Sequence, residues 1–136
     1  MKDRFRFRAW NKEEKKMYYD AQDTYDYMTG NPVIFAESFG CLLSNDEEWE
    51  VEQCTGLSDK NGNLIYEGDV VRGEKEIGTV KYGKHPRTNS HSIELGFYID
   101  WEMKHPWRSD ICYWTSPENP DCIEIIGNIH EQKDKQ

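Results

Sequence analysis

The sequence lacks the features that most directly announce a chemistry. No apolar run approaches the roughly 18 residues of a membrane-spanning helix, and the start, Met1 to Arg8, has no apolar stretch of the signal-peptide kind. The expected compartment is therefore the cytoplasm. There is no G-x-G-x-x-G and no Walker loop, so phosphate capture by a glycine-rich turn ahead of a helix has no support. No H-x-x-x-H pair exists among His85, His91, His105 and His130, and none of them stands beside a Ser or Cys in a nucleophile setting. Cysteine is sparse and badly spaced for metal: twelve residues separate Cys41 from Cys54 and nine separate Cys112 from Cys122. Structural zinc usually needs a much closer pair. Without a secretory segment, the four cysteines read as reduced, inert thiols on strands. No catalytic residue, metal site or cofactor is predicted.

Positive charge is absent from one long stretch. Residues 21–59 contain nine Asp or Glu and no Lys or Arg, whereas residues 1–20 carry a small basic excess. The whole chain of 136 residues has a formal net charge of −9. Such a surface repels nucleic acid unless the basic start is set apart from it. The acidic stretch either attracts a basic partner or only keeps the chain soluble.

Aromatic residues offset a polar composition: five Trp, eight Tyr and five Phe supply large areas for burial. Their setting is mostly period two. Phe5, Phe7 and Ala9 alternate with Arg4, Arg6 and Arg8, which predicts a half-buried strand with a basic outer face. Met17-Tyr18-Tyr19 follows a polar turn and predicts the return arm of a hairpin. Val33-Ile34-Phe35-Ala36 reads as a strand, and Cys41-Leu42-Leu43 as another short piece. Ser44 with Glu47 fits a helix capping box, but Trp49 and Val51 alternate with Glu48, Glu50 and Glu52 as in a strand. Asn61-Gly62 between strand-like flanks predicts a hairpin with a type I′ turn. Glu67-Gly68-Asp69 predicts a second tight turn. Ile93, Leu95, Phe97 and Ile99 alternate along another strand. Ile111-Cys112-Tyr113-Trp114 reads as a short aromatic strand, and Gly127-Asn128 as a bulge or bend. Many short strands between Gly, Pro and Asn turns predict an all-β protein. The spacing within residues 54–130 suits a small, bent, partly open barrel.

The run Cys54-Thr55-Gly56-Leu57-Ser58-Asp59-Lys60-Asn61-Gly62-Asn63-Leu64-Ile65-Tyr66-Glu67-Gly68-Asp69-Val70-Val71 resembles the YopX family. Phe5-Arg6-Phe7-Arg8-Ala9-Trp10 and Ile125-Ile126-Gly127-Asn128-Ile129-His130 match it in the same order. That family comprises small proteins encoded by bacteriophages and prophages. The resemblance implies a β-rich fold whose C-terminal part is an SH3-like barrel, and the expected fold class is all-β, with an N-terminal β-hairpin region packed on that partly open barrel. It implies no enzymatic activity, cofactor or substrate. The expected organisation is an N-terminal β-rich region over 1–50, the barrel over 51–130 and a polar tail over 131–136. Within the central run, Thr55, Gly56, Leu57, Asp59, Asn61, Gly62, Tyr66, Glu67, Gly68 and Asp69 read as structural residues. Gly56, Gly62 and Gly68 supply backbone freedom at turns, and Asp59 and Asp69 bond nearby backbone.

Two surfaces are candidates for function. Trp101, Trp107, Tyr113 and Trp114 are four large aromatics within fourteen positions, of the kind that concentrates at protein interfaces; the competing reading is that they fill the barrel. Arg4, Arg6 and Arg8, interleaved with Phe5 and Phe7, are candidate nucleic-acid contacts. The expected function is a non-catalytic phage or prophage accessory that binds protein, either another copy of itself or a host or phage factor. Nucleic-acid association through the basic strand is the alternative, and no membrane partner is expected.

Overall fold

The computed structural model describes residues 2–23, 39–73, 76–86, 93–102 and 109–133. The expected strand at residues 33–36 lies outside them. The protein is all-β, and its chain forms two compact units, Met1–Cys54 and Thr55–Gln136.

The first unit opens with a 3-10 turn, Asp3–Phe5. Strand β1 (Phe7–Asn11) then pairs antiparallel with β2 (Lys16–Tyr19). The strand thus starts two residues later than the alternation suggests. Asn11 makes the hairpin turn: its side-chain oxygen accepts the N–H groups of Glu13 at 3.1 Å and Glu14 at 2.8 Å. Lys15 completes the turn with φ 55°. Helix α1 (Phe39–Ser44) replaces the extended piece expected around Leu42. Ser44 does not cap a following helix. It ends this one, its hydroxyl donating to the Gly40 carbonyl at 2.8 Å. Strand β3 (Trp49–Ser58) follows, and its first half pairs antiparallel with β1. Ala9, Ala21, Leu42 and Trp49 form the core of this unit, with Phe7 and Tyr18 packed on it.

In the second unit the last residues of β3 lie beside β4 (Leu64–Tyr66). Strands β5 (Asp69–Arg72), β6 (Ile77–Pro86), β7 (Ile93–Trp101) and β8 (Glu124–Asn128) form an antiparallel half-barrel in the order β7-β6-β5-β8. Its core is Ile65, Val71, Val80, Ile99, Trp101, Ile111 and Ile123. The β5–β8 register skips Ile126, because Val70 faces Gly127 and Val71 faces Ile125. The expected irregularity is therefore a bulge one residue earlier than Gly127.

Three local expectations change. Residues 111–114 form one helical turn, α2 (Ile111–Trp114), not a strand. Four apolar residues cannot distinguish the two periods. The tail begins with a helix, α3 (Ile129–Lys133), whose first N–H groups at His130 and Glu131 are accepted by the Asn128 side chain at 3.0 and 3.1 Å. The Asn61-Gly62 turn forms, but only Gly62 takes positive φ, at 84°. The Gly62 N–H returns to the Asp59 carbonyl at 3.0 Å, giving a longer loop closed by one left-handed glycine instead of type I′.

Candidate interaction surface

The central run is a set of latches. Asp59 is buried, and one of its oxygens accepts the N–H groups of Asn61 at 3.0 Å and Asn63 at 2.9 Å. Its other oxygen accepts the Ile125 N–H at 3.0 Å, which ties the hairpin to β8. This side chain also explains the turn type, since it fixes the loop backbone in a form that type I′ does not have. Thr55 donates to the Ile65 carbonyl at 2.9 Å and accepts the Leu57 N–H at 3.1 Å. Asp69 is buried and accepts the Tyr66 N–H at 2.8 Å. Gly68, at φ 89°, donates to Val80 at 2.8 Å, and its carbonyl accepts the Ile129 N–H at 2.9 Å. Gly56 has φ 82° inside β3. Leu57 packs on the core, and Tyr66 is buried. Glu67 occupies the same turn and is half-buried.

The three N-terminal arginines do not share a face. Arg4 lies in the 3-10 turn with its guanidinium 4.8 Å from the Phe5 ring centre. Arg6 pairs with Asp3 at 3.0 Å and Asp20 at 3.1 Å. Arg8 is 2% exposed and pairs with Glu52 at 2.8 Å, its register partner on β3. The basic outer face expected of β1 is thus a buried ion pair, and Phe5, expected inside, is exposed.

The aromatic cluster is also mostly internal. Trp101 is buried and crosses Trp114 at 5.1 Å between ring centres. Tyr113 stands against Trp114 at 4.9 Å. Trp114 packs on the core beside Trp101, so these two rings belong to the interior, and Tyr113 is half-buried against them. Trp107 lies outside the described residues, as do His91 and His105. Of the other histidines, His85 and His130 are both buried.

A cleft of about 410 Å³ is lined by Lys60, Arg72, Gly73, Pro120, Asp121, Cys122 and Glu124. Lys60 and Arg72 each approach the Glu124 carboxylate at 3.3 Å. First Lys60 and then Arg72 hold its pKa below the ordinary glutamate value. Burial pushes the Cys122 thiol up, and the charge of Asp59 adds to the effect. All four cysteines are thiols. Both cations pair with Glu124, and Asp121 supplies the second negative charge, so the cleft lining is balanced.

The feature that sequence reasoning missed is the outer half of the β6–β7 ribbon. β5 accompanies β6 only at residues 77–79. The β6–β7 pairing continues for seven more residue pairs, from Val80↔Ile99 to Pro86↔Ile93. On one face the register sets Gly78↔Trp101, Val80↔Ile99, Tyr82↔Phe97, Lys84↔Leu95 and Pro86↔Ile93. The inner members are core, whereas Tyr82 is 51%, Leu95 67% and Ile93 69% exposed. Tyr82 meets Phe97 edge-on at 5.0 Å. On the opposite face His85 is buried and stacks on Tyr98 at 4.6 Å, with Nε2 3.7 Å from Glu94. There Lys81 bonds Asp100 at 2.7 Å, and that bond raises the lysine pKa. One side of the ribbon is thus polar and paired, and the other is apolar and open. Strand length carries a signal for this: β6 and β7 have ten and nine residues, against four in β5 and five in β8.

Among the described residues no helix is long and apolar enough to cross a membrane. No curated protein matches the chain. The crystal structure of protein EF1440 from Enterococcus faecalis is similar over 96% of each chain, at 22% identity and a TM-score of 0.47. The family model described as YopX protein matches residues 6–134, nearly the whole sequence, and the chain accordingly belongs to the YopX family.

Proposed function

We propose that the chain is a non-catalytic protein-interaction module, serving as a phage or prophage accessory in the cytoplasm of a bacterial host. The observation that carries this reading is the open apolar face of Tyr82, Leu95 and Ile93. Each is more than half exposed and all three stand on one ribbon face, with Lys84 beside them, and grouped large apolar side chains rimmed by a polar residue mark an interaction site. Exposed aliphatic and aromatic side chains on a regular ribbon bury area at little entropy cost, which suits a protein partner better than a phosphate backbone. The alternative, nucleic-acid association through Arg4, Arg6 and Arg8, is weakened by the burial of Arg8 and the two carboxylates on Arg6.

A photoreactive phenylalanine analogue at position 95, with one at the exposed Glu118 as control, tests the reading in host cells. Protein adducts are expected from position 95 and not from 118. Adducts only with nucleic acid, or none from either position, would overturn it.

A further inference from the structure

The cleft beside β8 is built on a fixed frame. The Asp59 carboxylate accepts the Ile125 N–H at 3.0 Å, and the Lys60 N–H donates to the Ile123 carbonyl at 3.0 Å. The loop that carries Lys60 is thereby tied to the strand that carries Glu124. Arg72 stands opposite Glu124 in the β5–β8 register. Two separate elements thus bring two cations to one carboxylate, and both meet the same oxygen, Oε2, at 3.3 Å. An ammonium group has three N–H donors and a guanidinium five, so this contact engages only a minority of them. Among the described residues no other acceptor meets the Lys60 ammonium or the Arg72 guanidinium. The two side chains are 52% and 55% exposed, which leaves the remaining donors within reach of a ligand. The same lining carries Asp121, whose backbone N–H is held by the Asn119 side chain at 2.9 Å. Its carboxylate makes no bond among the described residues. Pro120, Gly73 and the Cys122 thiol complete the cleft with neutral surface.

From this arrangement we infer that the cleft binds a small zwitterion of the amino-acid class with a neutral side chain. The ligand carboxylate takes the remaining donors of Lys60 and Arg72, a pairing that suits the planar guanidinium fork. The ligand ammonium takes the Asp121 carboxylate. The balanced lining decides against simpler ions. An anion alone meets the repulsion of Glu124 and Asp121, and a cation alone meets that of Lys60 and Arg72. Once both ends are matched, a charged side chain finds no further counter-charge. The volume of about 410 Å³ lies within the ordinary range of small-molecule sites. Exposed ion pairs are individually weak, so the affinity is of the millimolar class. This site and the face of Tyr82, Leu95 and Ile93 involve different residues, and neither reading depends on the other.

Amide NMR titrations of the full chain test the inference, with each soluble neutral L-amino acid added singly to about 50 mM. At least one should give saturable shifts centred on Lys60, Gly73, Cys122 and Glu124. Acetate, methylammonium and inorganic phosphate should each bind at least about fivefold more weakly, since each engages only one end of the site. Arg72→Gln and Asp121→Asn should each weaken amino-acid binding at least about fivefold, while Lys84→Gln, outside the cleft, should leave it unchanged. Spectra of the variants without ligand check that the fold is kept. Titrations in which no amino acid gives saturable shifts, or in which the shifts map away from the cleft, overturn the site. Acetate or phosphate binding as tightly as the amino acid, or an Asp121→Asn chain that binds as well as the wild type, overturns the zwitterion.

Discussion

Arg8 and Glu52 show how a charged residue can mislead when it is read locally. In sequence Arg8 belongs with Arg4 and Arg6. In the fold its guanidinium is held at 2.8 Å by a carboxylate 44 positions later, and both side chains are almost wholly buried. Removing one member strands the other without its counter-charge, so Arg8→Met should lower stability by about 3–5 kcal/mol. Arg8→Met with Glu52→Leu should recover much of that loss, and urea unfolding of both variants measures the difference. Glu124 gives the pH counterpart at the surface. Because Lys60 and Arg72 depress its folded pKa, the carboxylate contributes stability that is complete above the ordinary glutamate value of 4.5 and is lost as pH falls through the depressed value. An NMR titration should place the Glu124 midpoint below 4.5, and Lys60→Gln should move it upward. Neither pairing is legible beforehand, because each joins residues from distant parts of the chain. Asp59 is partly legible: its turn-forming role follows from the residues beside it, but its bond to Ile125 does not.

The strands themselves were the most readable part of the molecule. The alternation around Phe7, Trp49 and Ile99 marks β1, β3 and β7, because a half-buried strand writes its period directly into the residues. Helices α1, α2 and α3 were missed for the opposite reason: six, four and five residues are too few to display a helical stripe. The exposed half of β7 was hidden by its own regularity. Ile93, Leu95 and Phe97 continue the pattern of Ile99 and Trp101 without interruption, and where the neighbouring strands stop is decided elsewhere in the chain. Packing at the inner end of that ribbon is tight. A Cβ at Gly78 would stand 2.6 Å from a methyl of Ile99 and 3.0 Å from the Trp101 ring. Gly78→Ala should therefore destabilise the barrel by about 1–3 kcal/mol, as measured by thermal or urea unfolding. Gly96→Ala, farther along the same ribbon and opening onto free space, should cost less.

Across the whole molecule, charge bears on which partner the surface can hold. The chain carries a formal −9, so nucleic acid is repelled at long range outside the basic start. A contact with nucleic acid should weaken as salt rises from about 50 to about 500 mM, because counterions compete. A protein contact through the apolar face of Tyr82, Leu95 and Ile93 should hold or tighten over the same range, since salt does not weaken apolar burial. Cross-linking yield from position 95 at the two salt concentrations separates these cases by direction alone. The acidic composition is plain in the sequence; the position of the exposed apolar side chains is not.

The crossed indoles of Trp101 and Trp114 also have an optical consequence. Rings 5.1 Å apart and inclined at 67° couple their transition dipoles, which splits the ultraviolet absorption into a circular-dichroism couplet. That couplet should fade when the half-barrel loosens and survive changes confined to the ribbon tip. The protein thus carries an intrinsic chromophore pair that reports on its interior without any attached label.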